Sequence, residues 1–236
     1  MNKHVRTFIL SFMWCVAAMR VEAEEFIPPP TYSAEAIEAW VVDEDTGKPI
    51  EGAVVVAHWE LMGGLHPDTI GQLMILEAVT DAQGRFQFQA WGPEPRPTEG
   101  FLHNYDPELL LFKSGYEYKN LSNRATSKVN VAPVRRSEWN KKTIKLKKVV
   151  NEKEYSLRDL EIRLSFAFDE KGICQWKKIP RMLVALDQHV SRSREAKGAP
   201  QDPKREHSYL LFLQGSGSAD VQQCGSIVEF LRSYMP

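Results

Sequence analysis

In segments such as Ile37–Val41 and Arg85–Gln89 apolar residues recur at every second position; beyond residue 150, in segments such as Leu157–Phe168 and Ile179–Val190, they recur at every third or fourth. A period of two places alternate side chains on opposite faces of a strand, whereas a period of 3.6 gathers them on one face of a helix. The chain is therefore expected to be an all-β sandwich of about seven strands over residues 34–150, followed by a small α-helical domain over residues 151–236.

Strands are predicted at Ile37–Val42, Val54–Glu60, Met74–Thr80, Arg85–Trp91, Leu109–Phe112 and Thr143–Val149. Asp43 to Gly47 supplies turn residues, and Asp81-Ala82-Gln83-Gly84 reads as a hairpin turn. Leu109-Leu110-Leu111-Phe112 is uniformly apolar, the mark of a strand buried on both faces. Lys145, Lys147 and Lys148 should face outward from an edge strand, where charge discourages pairing with other chains. In the second half, Leu157, Leu160, Leu164 and Phe168 follow helical spacing, with Ser156 as a cap. Ile179, Met182, Leu183, Leu186 and Val190 form a second stripe that Pro180 opens. Residues 191–205 read as a loop, Tyr209–Leu213 as helix or strand, and Gly215–Ser218 as a flexible link. One last helix is expected from about Ala219, with Val221, Cys224, Val228 and Leu231 on one side.

Thr46-Gly47-Lys48-Pro49-Ile50-Glu51-Gly52-Ala53, the Thr80–Phe88 segment and Gly115-Tyr116 together resemble the carboxypeptidase regulatory-like domain, a prealbumin-like β-sandwich. The resemblance covers about half the chain and implies a fold that supports, displays or binds rather than one that catalyses. The helical half resembles no established enzyme family.

The N-terminus reads as a secretory signal over residues 1–23. Lys3 and Arg6 precede a mostly apolar run from Thr7 to Met19, and Val21-Glu22-Ala23 suits cleavage before Glu24. The apolar run is shorter than the roughly 20 residues a spanning helix needs. An uncleaved N-terminal anchor is the alternative, because Arg20 sits beside the cleavage point; lipid attachment at Cys15 is disfavoured by its bulky neighbour Trp14. The expected location is periplasmic or secreted, with only transient membrane contact through the signal. Residues 24–33, with Pro28-Pro29-Pro30, read as an extended leader. Losing Lys3, Arg6, Arg20 and Glu22 takes the formal charge from −1 to −3, a balance with no pull towards nucleic acid. Cys174 and Cys224 then remain, and an oxidising compartment would pair them; two buried free thiols are the alternative.

Residues 91–106 read as a long loop between strands, the kind of segment that often carries function on a rigid scaffold. Its Trp91, Phe101, His103 and Tyr105 could form an aromatic platform for a sugar ring or a peptide side chain, or could pack the loop onto the core. His58, His66, His103, Asp68 and Asp106 raise a metal centre, but no two histidines have the spacing that fixes ligands on one element. Asp43, Asp45 and Asp81 are better read as turn carboxylates than as calcium ligands. No Gly-x-Ser-x-Gly elbow is present, and Gly215-Ser216-Gly217-Ser218 lacks the Lys that ends a phosphate loop. The basic groups Arg135–Lys148 and Lys177–Arg194 read as solvated faces. No cofactor is expected. The sequence thus points to a non-catalytic binding or scaffolding protein of a bacterial envelope that engages a protein or glycan through the 91–106 loop. A carbohydrate-binding module is the first alternative, and a metal-dependent or hydrolytic enzyme the second.

Overall fold

The computed structural model describes residues 28–63, 68–102, 105–124, 132–150, 157–168, 174–196, 198, 207–215 and 219–235. The signal with its Ala23–Glu24 junction, Ser156, His66 and His103 lie outside them. Eleven strands in three sheets are described, where the sequence predicts about seven, and five helices, four of them short, accompany them.

The alternating segments become the strands expected of them. Strand β2 (Ile37–Asp43) buries every second residue, and β5 (Arg85–Phe88) buries Phe86 and Phe88. These two pair antiparallel, and β11 (Thr143–Leu146) joins β2 in parallel as an edge, with Lys145 exposed. A second sheet has β1 (Thr31–Ala34) between β10 (Val134–Arg135) and β6 (Trp91–Pro95). Thr31, Tyr32 and Ser33 are thus strand residues rather than the end of an extended leader, and Tyr32 is fully buried. Strand β6 carries Pro93 and Pro95, tolerable because it is an edge that needs no ladder donors there. Segment 91–106 is not one long loop: β6 and β7 (Phe101–Leu102) both lie in it.

The largest sheet runs β4 (Asp68–Val79), β3 (Val54–Gly63), β8 (Glu108–Phe112), β9 (Lys119–Leu121), with β7 also on β3. Alternation along β3 and β8 separates two cores. Val55, Ala57, Trp59, Leu109 and Leu111 face Tyr32, Val41, Phe86, Phe88 and Ile144 from the other two sheets. Val54, Val56, Leu110 and Phe112 face the helices. That is why Leu109 to Phe112 all have zero exposure, each contributing roughly 1.5–3 kcal/mol by burial.

The turn at Asp81–Gly84 is a corner, not a hairpin within one sheet. Strand β4 before it pairs with β3, and β5 after it pairs with β2. Gly84 makes the corner: its φ is +73°, its carbonyl accepts from Val41 N at 2.7 Å, and a Cβ there would lie 2.4 Å from Val41 O. Gly47 has a similar φ of +67° with open space around it. Gly84→Ala is expected to cost about 2 kcal/mol or more, and Gly47→Ala about half that, since only Gly84 adds a backbone clash to the left-handed conformation. Urea unfolding of the two variants compares them directly, and equal losses would contradict the corner's close approach.

Among the helices, α1 (Arg158–Arg163) buries Leu160, and α2 (Pro180–Ala196) buries Met182, Leu183 and Leu186 beside Ile179. Helix α2 continues to Ala196, through six residues of the segment read as loop. Tyr209–Leu213 lies in α3 (Ser208–Gln214). The last helix is broken in two, α4 (Ala219–Cys224) and α5 (Ile227–Leu231), because Gly225 turns at φ +79° and Ser226 caps the second piece by accepting from Glu229 N. Cys174 and Cys224 form a disulfide, with Cα atoms 5.4 Å apart.

Candidate functional site

Strand register builds a cleft of about 410 Å³ between the five-stranded sheet and the α1 segment. Val54, Val56, His58 and Glu60 share one face of β3, so the face that is apolar at its start becomes polar at its end. His58 stands opposite Glu108 of β8, and Glu60 opposite Gln72 of β4. The register of β3 against β4 shifts between Trp59 and Glu60 and again between Leu61 and Met62, and such bulges re-aim side chains at the ends of strands. The other wall is Ile162 and Arg163 of α1 with Ser165 and Phe166 of the following turn; Tyr105 and Asp106 also line the cleft.

His58 is the centre of the sheet wall and is 3% exposed. Its Nδ1 lies 2.9 Å from Gln72 Oε1, and its Nε2 lies 3.2 Å from Glu108 Oε2, an ion-pair distance without hydrogen-bond alignment. Phe166 stacks on the imidazole, with centroids 4.3 Å apart and planes 18° from parallel. Glu108 also accepts from Asn120 Nδ2 at 2.7 Å and lies 4.0 Å from Arg163 Nη1. Burial pushes the Glu108 carboxyl up, but the contacts with His58 and Asn120 and the Arg163 charge outweigh it and hold it below its usual range. Glu60 accepts from Thr69 Oγ1 at 2.8 Å.

Asp106 behaves in the opposite way. It is 2% exposed, and burial raises its carboxyl well above the usual range, against the Glu60 N–H bond to Oδ1 and the charge of Arg135. The charges of Glu60 and Glu108 add to the rise. Arg135 is itself fully buried over the Tyr32 ring, and its Nη2 donates to Leu102 O at 3.4 Å. Two cleft-lining side-chain atoms are buried with no polar partner, Gln72 Nε2 and Asp106 Oδ2, while His58 Nε2 has only its poorly aligned contact with Glu108. Such atoms are costly to leave unmatched and mark where a ligand or ordered water is used.

The residues expected to form an aromatic platform are separated. Trp91 is half-buried and packs edge-on against the core residue Trp59, with centroids 5.2 Å apart. Phe101 is half-buried in β7 beside Met62. Tyr105 is 48% exposed and, of the three described platform residues, is the one that lines the cleft. Asp43 acts within its turn and the adjoining strands: it accepts from Thr46 N and Oγ1 at 2.8 Å and from Tyr116 at 3.1 Å, and pairs with Lys148 at 3.2 Å. Asp81 likewise accepts from the Gln83 and Arg85 amides. Among the described residues no group of three or more His, Cys, Asp or Glu could hold a metal ion. Sequence reasoning missed Glu60, Gln72, Glu108 and Phe166 as cleft residues. The one available signal was the polar end of an otherwise apolar strand face, His58 and Glu60 following Val54 and Val56.

No family model matches this chain, and no curated protein matches it. Among solved structures, 3-chlorocatechol 1,2-dioxygenase from Rhodococcus opacus 1CP is similar over 52% of this chain and 69% of its own, at 16% identity and a TM-score of 0.30. Chlorocatechol 1,2-dioxygenase from Pseudomonas putida is similar over 50% and 60%, at 20% identity and a TM-score of 0.27, so the match spans less than two thirds of that enzyme. The dioxygenase domain of a dioxygenase carbohydrate-binding protein fusion from the cellulolytic bacterium Streptomyces sp. SirexAA-E is similar over 56% and 97%, at 17% identity and a TM-score of 0.28. None of these three is a carboxypeptidase regulatory-like domain, and likeness at this level carries no argument about chemistry.

Proposed function

We propose that this chain is an exported, non-catalytic binding protein whose ligand, an envelope protein or glycan, occupies the cleft between the five-stranded sheet and α1. The observation that carries this reading is the pair of buried, unpartnered polar atoms lining the cleft, Gln72 Nε2 and Asp106 Oδ2. A volume of about 410 Å³ falls within the roughly 300–1,000 Å³ of small-ligand sites. The Cys174–Cys224 disulfide supports an oxidising compartment, and with it removal of the signal before Glu24. Among the described residues no helix is long and apolar enough to cross a membrane. In this reading the β-half is a prealbumin-like sandwich of the carboxypeptidase regulatory-like type. Its motifs at 46–53 and 80–88 supply the turns and corners, and the far end of the large sheet, with α1, supplies the site.

Ser165 is exposed at the cleft wall, so Ser165→Trp would fill the cleft while leaving its polar atoms in place. In a thermal-shift screen of soluble envelope glycans and peptides, a ligand at a hundred times its Kd should stabilise the wild type by about 2.7 kcal/mol. Ser165→Trp should show no such shift. A shift of equal size in the variant would place binding elsewhere and overturn the assignment of the cleft.

A further inference from the structure

We infer that the occupant of the cleft is a neutral polyhydroxylated ring, a sugar, held by its hydroxyls against the sheet wall and by its carbon face against the aromatic residues. This inference rests on the cleft being the binding site and adds the chemistry of what it takes.

The polar atoms decide the class. Glu60 and Glu108 present carboxylate oxygens, which only accept. Asp106 Oδ2 is buried in the same wall without a partner, and burial raises its carboxyl above the usual range. The Gln72 amide uses one end on His58 and leaves the other unmatched in the same wall. The wall therefore presents acceptors at Glu60 and Glu108 and an unmatched donor at Gln72 Nε2. A hydroxyl donates and accepts at one atom, so neighbouring sugar hydroxyls can satisfy both kinds, whichever end of the Gln72 amide faces them. An anion would meet the Glu60 and Glu108 carboxylates. A compact cation would meet the Arg163 guanidinium and the Gln72 Nε2 donor beside those carboxylates. Phe166, stacked on His58, and Tyr105, 48% exposed, supply flat apolar faces of the kind that sugar C–H groups cover.

The test uses the full exported protein with cellotriose, maltotriose and chitotriose as neutral probes, spermidine as the cation and citrate as the anion. Binding is read by titration calorimetry and by saturation-transfer NMR. The expected result is that at least one trisaccharide binds, that Glu60→Gln and Gln72→Leu each weaken it tenfold or more, and that Ser165→Trp abolishes it. Tyr105→Ala should weaken it similarly, and because Tyr105 is half exposed that variant should keep the wild-type Tm. Binding of spermidine or citrate without any trisaccharide, blocked by Ser165→Trp, would overturn the sugar and leave the cleft as the binding site. Trisaccharide binding insensitive to Ser165→Trp would overturn the cleft itself. Failure of all five probes would overturn the sugar inference.

Discussion

Reducing the Cys174–Cys224 disulfide is expected to lower the stability of the folded chain by about 4 kcal/mol, the loop-closure value for residues 50 apart. Against a typical domain stability of about 5–15 kcal/mol, that is a large fraction. The position of the bridge explains why the loss should be felt. Cys174 precedes the turn that buries Trp176 completely, and Cys224 ends α4 with 7% exposure. Both join the cluster in which Ile179, Met182, Leu183 and Leu186 of the α2 region meet Ile227 and Leu231 of α5. Helices α4 and α5 have only 6 and 5 residues, too short to hold together by their own hydrogen bonds. The bridge keeps their apolar residues close to α2 in the unfolded chain, so less entropy is lost when they dock. The measurement is urea unfolding of the oxidised protein, the protein in reductant, and a Cys174→Ala/Cys224→Ala double variant. The two thiol-free or reduced forms should lose similar amounts. A loss below about 1 kcal/mol in both would show that packing alone secures the C-terminal helices.

The second large effect is a dependence of stability on pH set by Glu77. This β4 carboxylate reaches across to the start of α2, where Oε2 accepts from Arg181 N at 3.0 Å and Oε1 from Met182 N at 2.7 Å. It thereby satisfies donors that a helix cannot pair within itself. Burial pushes Glu77 from 4.5 up to about 7, against the two N–H bonds and the Arg181 charge, which lower it. The folded state therefore holds this proton to a higher pH than the unfolded state does. Its contribution is fully present below pH 4.5 and is lost as pH rises through 7, by up to about 3 kcal/mol. Urea unfolding at pH 4.5, 6 and 7.5 should show wild-type stability falling relative to Glu77→Gln, which cannot titrate. The difference between the two proteins isolates Glu77 from His58, His189 and His207, which are present in both. Parallel curves across this range would mean that the helix N-terminus already holds Glu77 ionised.

Local features of this chain were legible because their causes lie in adjacent residues. The alternation from Ile37 to Asp43 sets one face of β2 inward wherever the strand is placed. Leu109 to Phe112 is apolar throughout because both faces of β8 are covered. Pro180 starts α2, and the stripe that follows it docks. Shorter elements left no such trace. Strands β7 and β10 have two residues each, and nothing in Phe101-Leu102 or Val134-Arg135 distinguishes them from loop. They are strands because Met62 and Leu61, and Ser33 and Ala34, offer them a ladder. The corner at Gly84 looks like a hairpin because turn chemistry is local, while the choice of partner sheet depends on β2 and β3, more than twenty residues upstream.

The cleft belongs to the same non-local class. His58, Gln72, Asp106, Glu108 and Phe166 span more than a hundred positions of the sequence, and only strand register and the docking of the α1 segment bring them together. Periodicity determined which residues could be inside, because burial of alternating or helically spaced side chains needs only local geometry. Tertiary structure decided which polar residues share a wall and which carboxyl is raised and which lowered, because pairing and desolvation depend on neighbours that the chain supplies from far away.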